Sequence, residues 1–130
     1  MRPMRHQKRN LQYSFRLYLN ADGKRVLGKG GAQILEAIDE RGSIAAASKE
    51  LHMSYKFVWD YLTRMRNRLK HPIIVTRRGG TRHGKKKGGG GTALTPLARA
   101  LLKNFRATEK RLHTTLSKTK IRIIEPSQSH

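Results

Sequence analysis

The sequence contains no cysteine, which excludes a disulfide framework, thiolate-ligated metal and a thiol nucleophile. Acidic residues are scarce. Asp and Glu number 8 against 29 Lys and Arg, a formal net charge of +21 on 130 residues, and a surplus of that size points to a polyanionic partner. No apolar run approaches the roughly 18 residues needed to cross a bilayer, and the N-terminus has no hydrophobic stretch of a secretory signal. A membrane or exported protein is therefore not expected; a soluble cytoplasmic one is. Hydrophobic residues make up only 36% of the chain, but they fall in periodic clusters, so one small folded core is expected rather than disorder.

Residues that could carry catalysis are also missing. The 6 histidines, His6, His52, His71, His83, His113 and His130, lack the i,i+4 spacing and nearby carboxylates of a metal site. No Ser, His and acid grouping stands out. Gly79, Gly84 and Lys85 satisfy the start of a phosphate-binding loop, but Lys86 stands where Ser or Thr must hold magnesium and more glycine follows instead of a helix. The chain is expected to be no enzyme and to use no cofactor or metal.

What is present is positive charge, unevenly placed. Residues 61–108 contain no acid, while they carry Arg64, Arg66, Arg68, Lys70, Arg77, Arg78, Arg82, Lys85, Lys86, Lys87, Arg99, Lys103 and Arg106. That is the footprint of a nucleic-acid-binding face. The acids gather earlier, at Glu36, Asp39, Glu40, Glu50 and Asp60.

Patterning divides the chain into a basic arm (residues 1–10), a domain (11–94), a long helix (95–119) and a tail (120–130). Leu11, Tyr13, Phe15, Leu17 and Leu19 alternate with mostly polar residues, which predicts a half-buried strand; after the turn residues 20–23, residues 24–27 return as a second strand. Gly28, Gly30 and Gly31 break the pattern before a helix over 32–41, ended by Gly42. Ser43 caps an alanine-rich second helix over 44–51, and Ser54 caps a third, whose core face is Val58, Leu62, Met65 and Leu69. Pro72 ends the third helix. Residues 73–76 and 92–94 form a hairpin around a long, basic, almost featureless glycine-rich loop. Thr95 before Pro96 starts the last helix, with Leu97, Leu101, Phe105, Thr108, Leu112 and Leu116 in one stripe. Its width suits both its own domain and a second copy, with Leu101, Phe105, Leu112 and Leu116 as the dimer contact. Residues 121–124 can add a short strand.

Helix, helix, tight turn, helix and two-stranded hairpin is the order of a winged helix-turn-helix: mainly α with a small β wing, here with an N-terminal hairpin and a long C-terminal dimerisation helix. In that arrangement the third helix enters the major groove of double-stranded DNA by its N-terminal end and the wing reaches the flanking backbone. The DNA-binding set is Ser43, Ser54, Tyr55, Lys56, Trp59, Thr63 and Arg64, with Arg77, Arg78, Arg82, Lys85, Lys86 and Lys87 on the wing. Tyr55 and Lys56 have no core role. Trp59 is open between groove contact and the core position commoner for tryptophan, and Asp60 between base reading and orienting a neighbouring cation.

Residues 34–105 resemble a known family. The run from Gly42 to Ala47, Met53 to Lys56 (Met-Ser-Tyr-Lys), Trp59-Asp60, Gly79-Gly80 and the run from Gly88 to Thr95 are similar to the N-terminal DNA-binding domain of ModE-type molybdate-responsive repressors, distant relatives of LysR-type winged helix domains. The resemblance implies a homodimer, paired by helices flanking the winged domain, that binds a two-fold operator and represses transcription. The sequence departs from it in having only about ten residues after the long helix, too few for a molybdate-sensing domain. It also has His52 at a turn position commonly occupied by glycine, where positive φ costs a side-chain-bearing residue.

An abundant architectural, nucleoid-associated DNA-binding protein is the alternative, favoured by the net charge, the basic arm and the basic wing. RNA association fits less well, because the chain lacks the paired aromatic strand motifs of common RNA modules.

Overall fold

Hydroxyls at positions 43, 54 and 95 and a glycine at 42 set where the helices start and stop. The computed structural model describes residues 10–77, 81–82, 85–86, 91–124 and 126. The arm expected at residues 1–10, save Asn10, lies outside the described residues, as do Arg78 and Lys87.

The chain opens as a short hairpin, β1 (Leu19–Ala21) with β2 (Lys24–Leu27). Asp22 and Gly23 both have positive φ, 50° and 79°, a connection whose twist matches that of the two strands it joins. The strand expected from Leu11 begins only at Leu19, because β2 is four residues long and pairs no further than Leu27 with Leu19. The alternation survives as burial: Phe15, Leu17 and Leu19 are half-buried, and Arg16, Tyr18 and Asn20 are exposed.

Helix α1 (Lys29–Arg41) starts three residues earlier than its apolar pattern indicates, so Gly30 and Gly31 lie in its first turn rather than before it. Gly31 is required there. A Cβ would come within 2.5 Å of the Tyr61 hydroxyl and 2.9 Å of Leu27 Cδ1. Gly42 ends the helix in the left-handed conformation, its N–H donating to the Ile38 carbonyl. Helix α2 (Ile44–Leu51) follows at once, and the Ser43 hydroxyl oxygen accepts from the Ala46 N–H at 3.0 Å. His52 turns the chain at φ 58°, the conformation a glycine would adopt with less strain. Helix α3 (Tyr55–Leu69) is capped by Ser54, which accepts from the Phe57 N–H at 3.0 Å. Lys70, also at positive φ, closes it before Pro72.

The wing pairs β3 (Ile74–Arg77) with β6 (Gly91–Leu94) antiparallel, Ile74 opposite Leu94. Within the loop read as featureless, β4 (Thr81–Arg82) and β5 (Lys85–Lys86) form a second two-residue ladder. Helix α4 (Pro96–Lys118) completes the domain. The Thr95 hydroxyl accepts from the Ala98 N–H and donates toward the Pro72 and Ile73 carbonyls, at 2.9 and 3.2 Å. No strand forms over residues 121–124; no described strand pairs with that segment.

One apolar cluster holds these parts together. Ile34, Leu35 and Ile38 of α1 are its centre, with Leu27, Ala47, Val58, Met65, Ile73 and Leu94 around them. Helix α4 adds Ala98, Leu102 and Phe105. Phe105 is only 5% exposed, so it packs in its own domain and has little surface left for the dimer contact expected of it. Beyond it the helix leaves the core: Leu112 is exposed and Leu116 half-buried. No described helix is long and apolar enough to cross a membrane.

Candidate nucleic-acid interface

Helix α3 buries Val58, Leu62 and Met65, and helical periodicity then sends the side chains between them to the opposite face and its two edges. On the edge toward the wing, Tyr55 and Trp59 stack with rings 8° from parallel and centroids 6.5 Å apart. They are 52% and 44% exposed. Trp59 is thus not a core residue. It sits one position beyond Val58, enough to rotate it out of the packed face, and lines a groove with Thr63, Arg66, Pro72 and Ile74 between α3 and the base of the wing.

Lys56 and Asp60 face outward one turn apart and pair at 2.8 Å. Asp60 is thus in contact with a neighbouring cation, as one of the two roles the sequence allowed requires. Phe57, absent from the expected set, is 50% exposed and tilts against Tyr61 at 6.4 Å. Its signal was its spacing: position 57 falls outside the Val58–Leu62–Met65 face. On this same edge the Arg64 guanidinium lies 5.0 Å from the Tyr61 ring centroid. Ser43 and Ser54 stand at the helix starts already described, and Arg77 is exposed at the end of β3. Arg82, Lys85 and Lys86 fall on the small ladder within the wing.

Not all of the basic stretch belongs to this face. Arg99 pairs with Asp39 at 2.9 Å, and Arg106 bridges Glu36 at 2.6 Å and Glu109 at 2.7 Å, fastening α4 to α1. Hydrogen bonding to Glu36 above all raises the Arg106 pKa above the ordinary arginine value, with Glu109 adding to it against the opposing effect of burial. Arg41 is raised likewise by its bond to Glu50. Arg99 and Arg106, inside the acid-free footprint by sequence, thus have their charge matched by carboxylates. Among the described residues no group of three or more His, Asp or Glu is placed to hold a metal.

Three helices with a tight αL turn before the third, an exposed aromatic and cationic face on that helix, and a hairpin beside it define a winged helix-turn-helix domain of the DNA-binding, transcription-regulating class. Residues 31–99 match the family described as "bacterial regulatory helix-turn-helix protein, lysR family", and the chain belongs to it. Within that family its similarity is to ModE-type proteins. It is 34% identical over 110 residues to the molybdenum transport protein ModE of Azotobacter vinelandii, covering 85% of this chain and 38% of that one. It is 36% identical over 91 residues to the molybdenum-pterin-binding protein MopB of Rhodobacter capsulatus, covering 70% and 32%. To the transcriptional regulator ModE of Haemophilus influenzae it is 37% identical over 89 residues, covering 68% and 30%. The chain thus spans about a third of the length of these relatives.

Proposed function

We propose that the chain binds double-stranded DNA as a homodimer and regulates transcription from a two-fold site on the nucleoid. Helix α3 enters the major groove and the β3–β6 wing follows the adjoining backbone. The observation that carries this reading is the stacked, solvent-facing Tyr55–Trp59 pair at the front of α3. Apolar ring surface held in water beside a lysine and an arginine is suited to a face covered in a complex.

Tyr55, Lys56, Trp59, Thr63 and Arg64 take the base edges. The Ser43 and Ser54 oxygens accept backbone N–H bonds, leaving each hydroxyl hydrogen to donate to phosphate. Arg77, Arg78, Arg82, Lys85, Lys86 and Lys87 serve the backbone. Two copies meet along Leu101, Leu112 and Leu116 of α4, setting their recognition helices about 34 Å apart, one turn of DNA. The likeness to a named transcriptional regulator supports the reading.

The test is to select binding sites from a random duplex pool and compare Tyr55→Ala with the unaltered chain. Loss of about 1 to 3 kcal/mol on the selected site, with little loss on random duplex, is expected. Equal losses on both would leave only backbone binding.

A further inference from the structure

Helix α3 is bracketed by two β-hairpins: the wing on its Trp59 edge and β1–β2 on its Tyr61 edge. Between β1–β2 and α3 runs an open cleft of about 750 Å³ lined by Lys24, Arg25, Tyr61, Arg64 and Arg68 together with Asn20. Its lining holds four cations and no carboxylate. Among the described residues, Arg41, Lys56, Arg99 and Arg106 each pair with an acid, and none of these four does. Three of them are held by other means. The Arg25 guanidinium lies 3.6 Å over the Tyr18 ring, Arg64 lies over Tyr61, and Arg68 donates to the Arg25 carbonyl. A guanidinium stacked on a ring keeps its charge and leaves its in-plane N–H donors open at the edge, the geometry that takes a phosphate oxygen.

We propose that this cleft is a second backbone clamp, in which Lys24 and Arg25 of the N-terminal hairpin, with Arg68 of α3, hold phosphates of the DNA strand on the side of the recognition helix away from the wing. The proposal rests on the DNA-binding reading above and extends it, since neither the hairpin nor Arg68 belongs to the wing or to the groove-reading set. Like charges gathered without a counter-charge repel, and a phosphodiester backbone continuous with the α3 face supplies the missing anions. The hairpin is thereby a second wing.

The experiment measures binding of the whole chain to a short random-sequence duplex over a salt series, for the unaltered protein, the double variant K24Q/R25Q and the charge-keeping K24R/R25K. Circular dichroism checks that each is folded. The expected result is a salt slope shallower by about two for K24Q/R25Q, roughly 0.9 for each phosphate no longer neutralised, and an unchanged slope for K24R/R25K. Equal slopes for all three overturn the clamp and leave the DNA-binding reading standing. A shallower slope in both variants also overturns it, because the change then follows the hairpin's shape rather than its charge. If the unaltered chain fails to bind duplex at all, the clamp and the reading beneath it both fall.

Discussion

Gly31 of α1 lies directly against the Tyr61 ring of α3, so close that a Cβ there would stand 2.8 Å from Cε1 and 2.5 Å from the hydroxyl oxygen. Its neighbour Gly30 has nothing within 4 Å of the same position. The two glycines, adjacent in one helical turn, therefore respond oppositely to alanine. Gly31→Ala forces Tyr61 and Leu27 apart and is expected to cost about 1 to 3 kcal/mol. Gly30→Ala gains helix propensity without a clash and is expected to stabilise by about 0.5 kcal/mol. Urea unfolding of both variants checks the pair.

His52 carries positive φ in the turn between α2 and α3. Because a side chain in that conformation is strained by about 1 to 2 kcal/mol, His52→Gly is expected to raise stability by about 0.5 to 1 kcal/mol. It should leave affinity for duplex DNA unaltered. A loss of stability would mean that the histidine makes an interaction worth more than the strain it carries.

The two halves of α4 are separable by substitution. Phe105→Ala removes a ring from the domain's own core and is expected to cost about 3 to 5 kcal/mol. Leu112→Glu with Leu116→Glu lies beyond that core and is expected to change stability of the single domain by less than about 1 kcal/mol while abolishing self-association. Light scattering of the two proteins reads the difference; a dimer that survives the glutamates places the interface elsewhere.

Replacing Lys85, Lys86 and Lys87 by Ala is expected to weaken binding equally on every duplex and to make the salt slope shallower by up to about one for each phosphate the wing tip releases. An unchanged slope would remove the wing tip from the backbone.

The starts of α2, α3 and α4 were legible in the sequence because capping is local, whereas α1, with no side-chain cap at Gly28, begins earlier than expected. Ser43, Ser54 and Thr95 each bond an N–H three residues on, and the serine or threonine that does so is visible from spacing alone. Pairing over distance was not legible in this way. The alternation from Leu11 reads as a strand, yet a ladder needs a partner of equal length, and β2 ends at Leu27. Arg106 looks like one more cation in a basic run, and only the fold brings it to Glu36, 70 residues away. Phe105 and Leu112 share a stripe on one helix, and where the domain's core stops along that stripe is decided by α1. For α3, the buried face was evident from Val58, Leu62 and Met65; that Trp59 turns toward the base of the wing and Phe57 toward Tyr61 depends on what stands on either side.

Thr95 has a mechanical consequence. Its hydroxyl reaches the Pro72 and Ile73 carbonyls while its N–H donates to the Ile73 carbonyl at 2.9 Å and its oxygen caps α4. The root of the wing and the root of the long helix are thus a single joint with no slack segment between them. The wing and the long helix therefore share one anchoring residue, and a change at that threonine touches both at once.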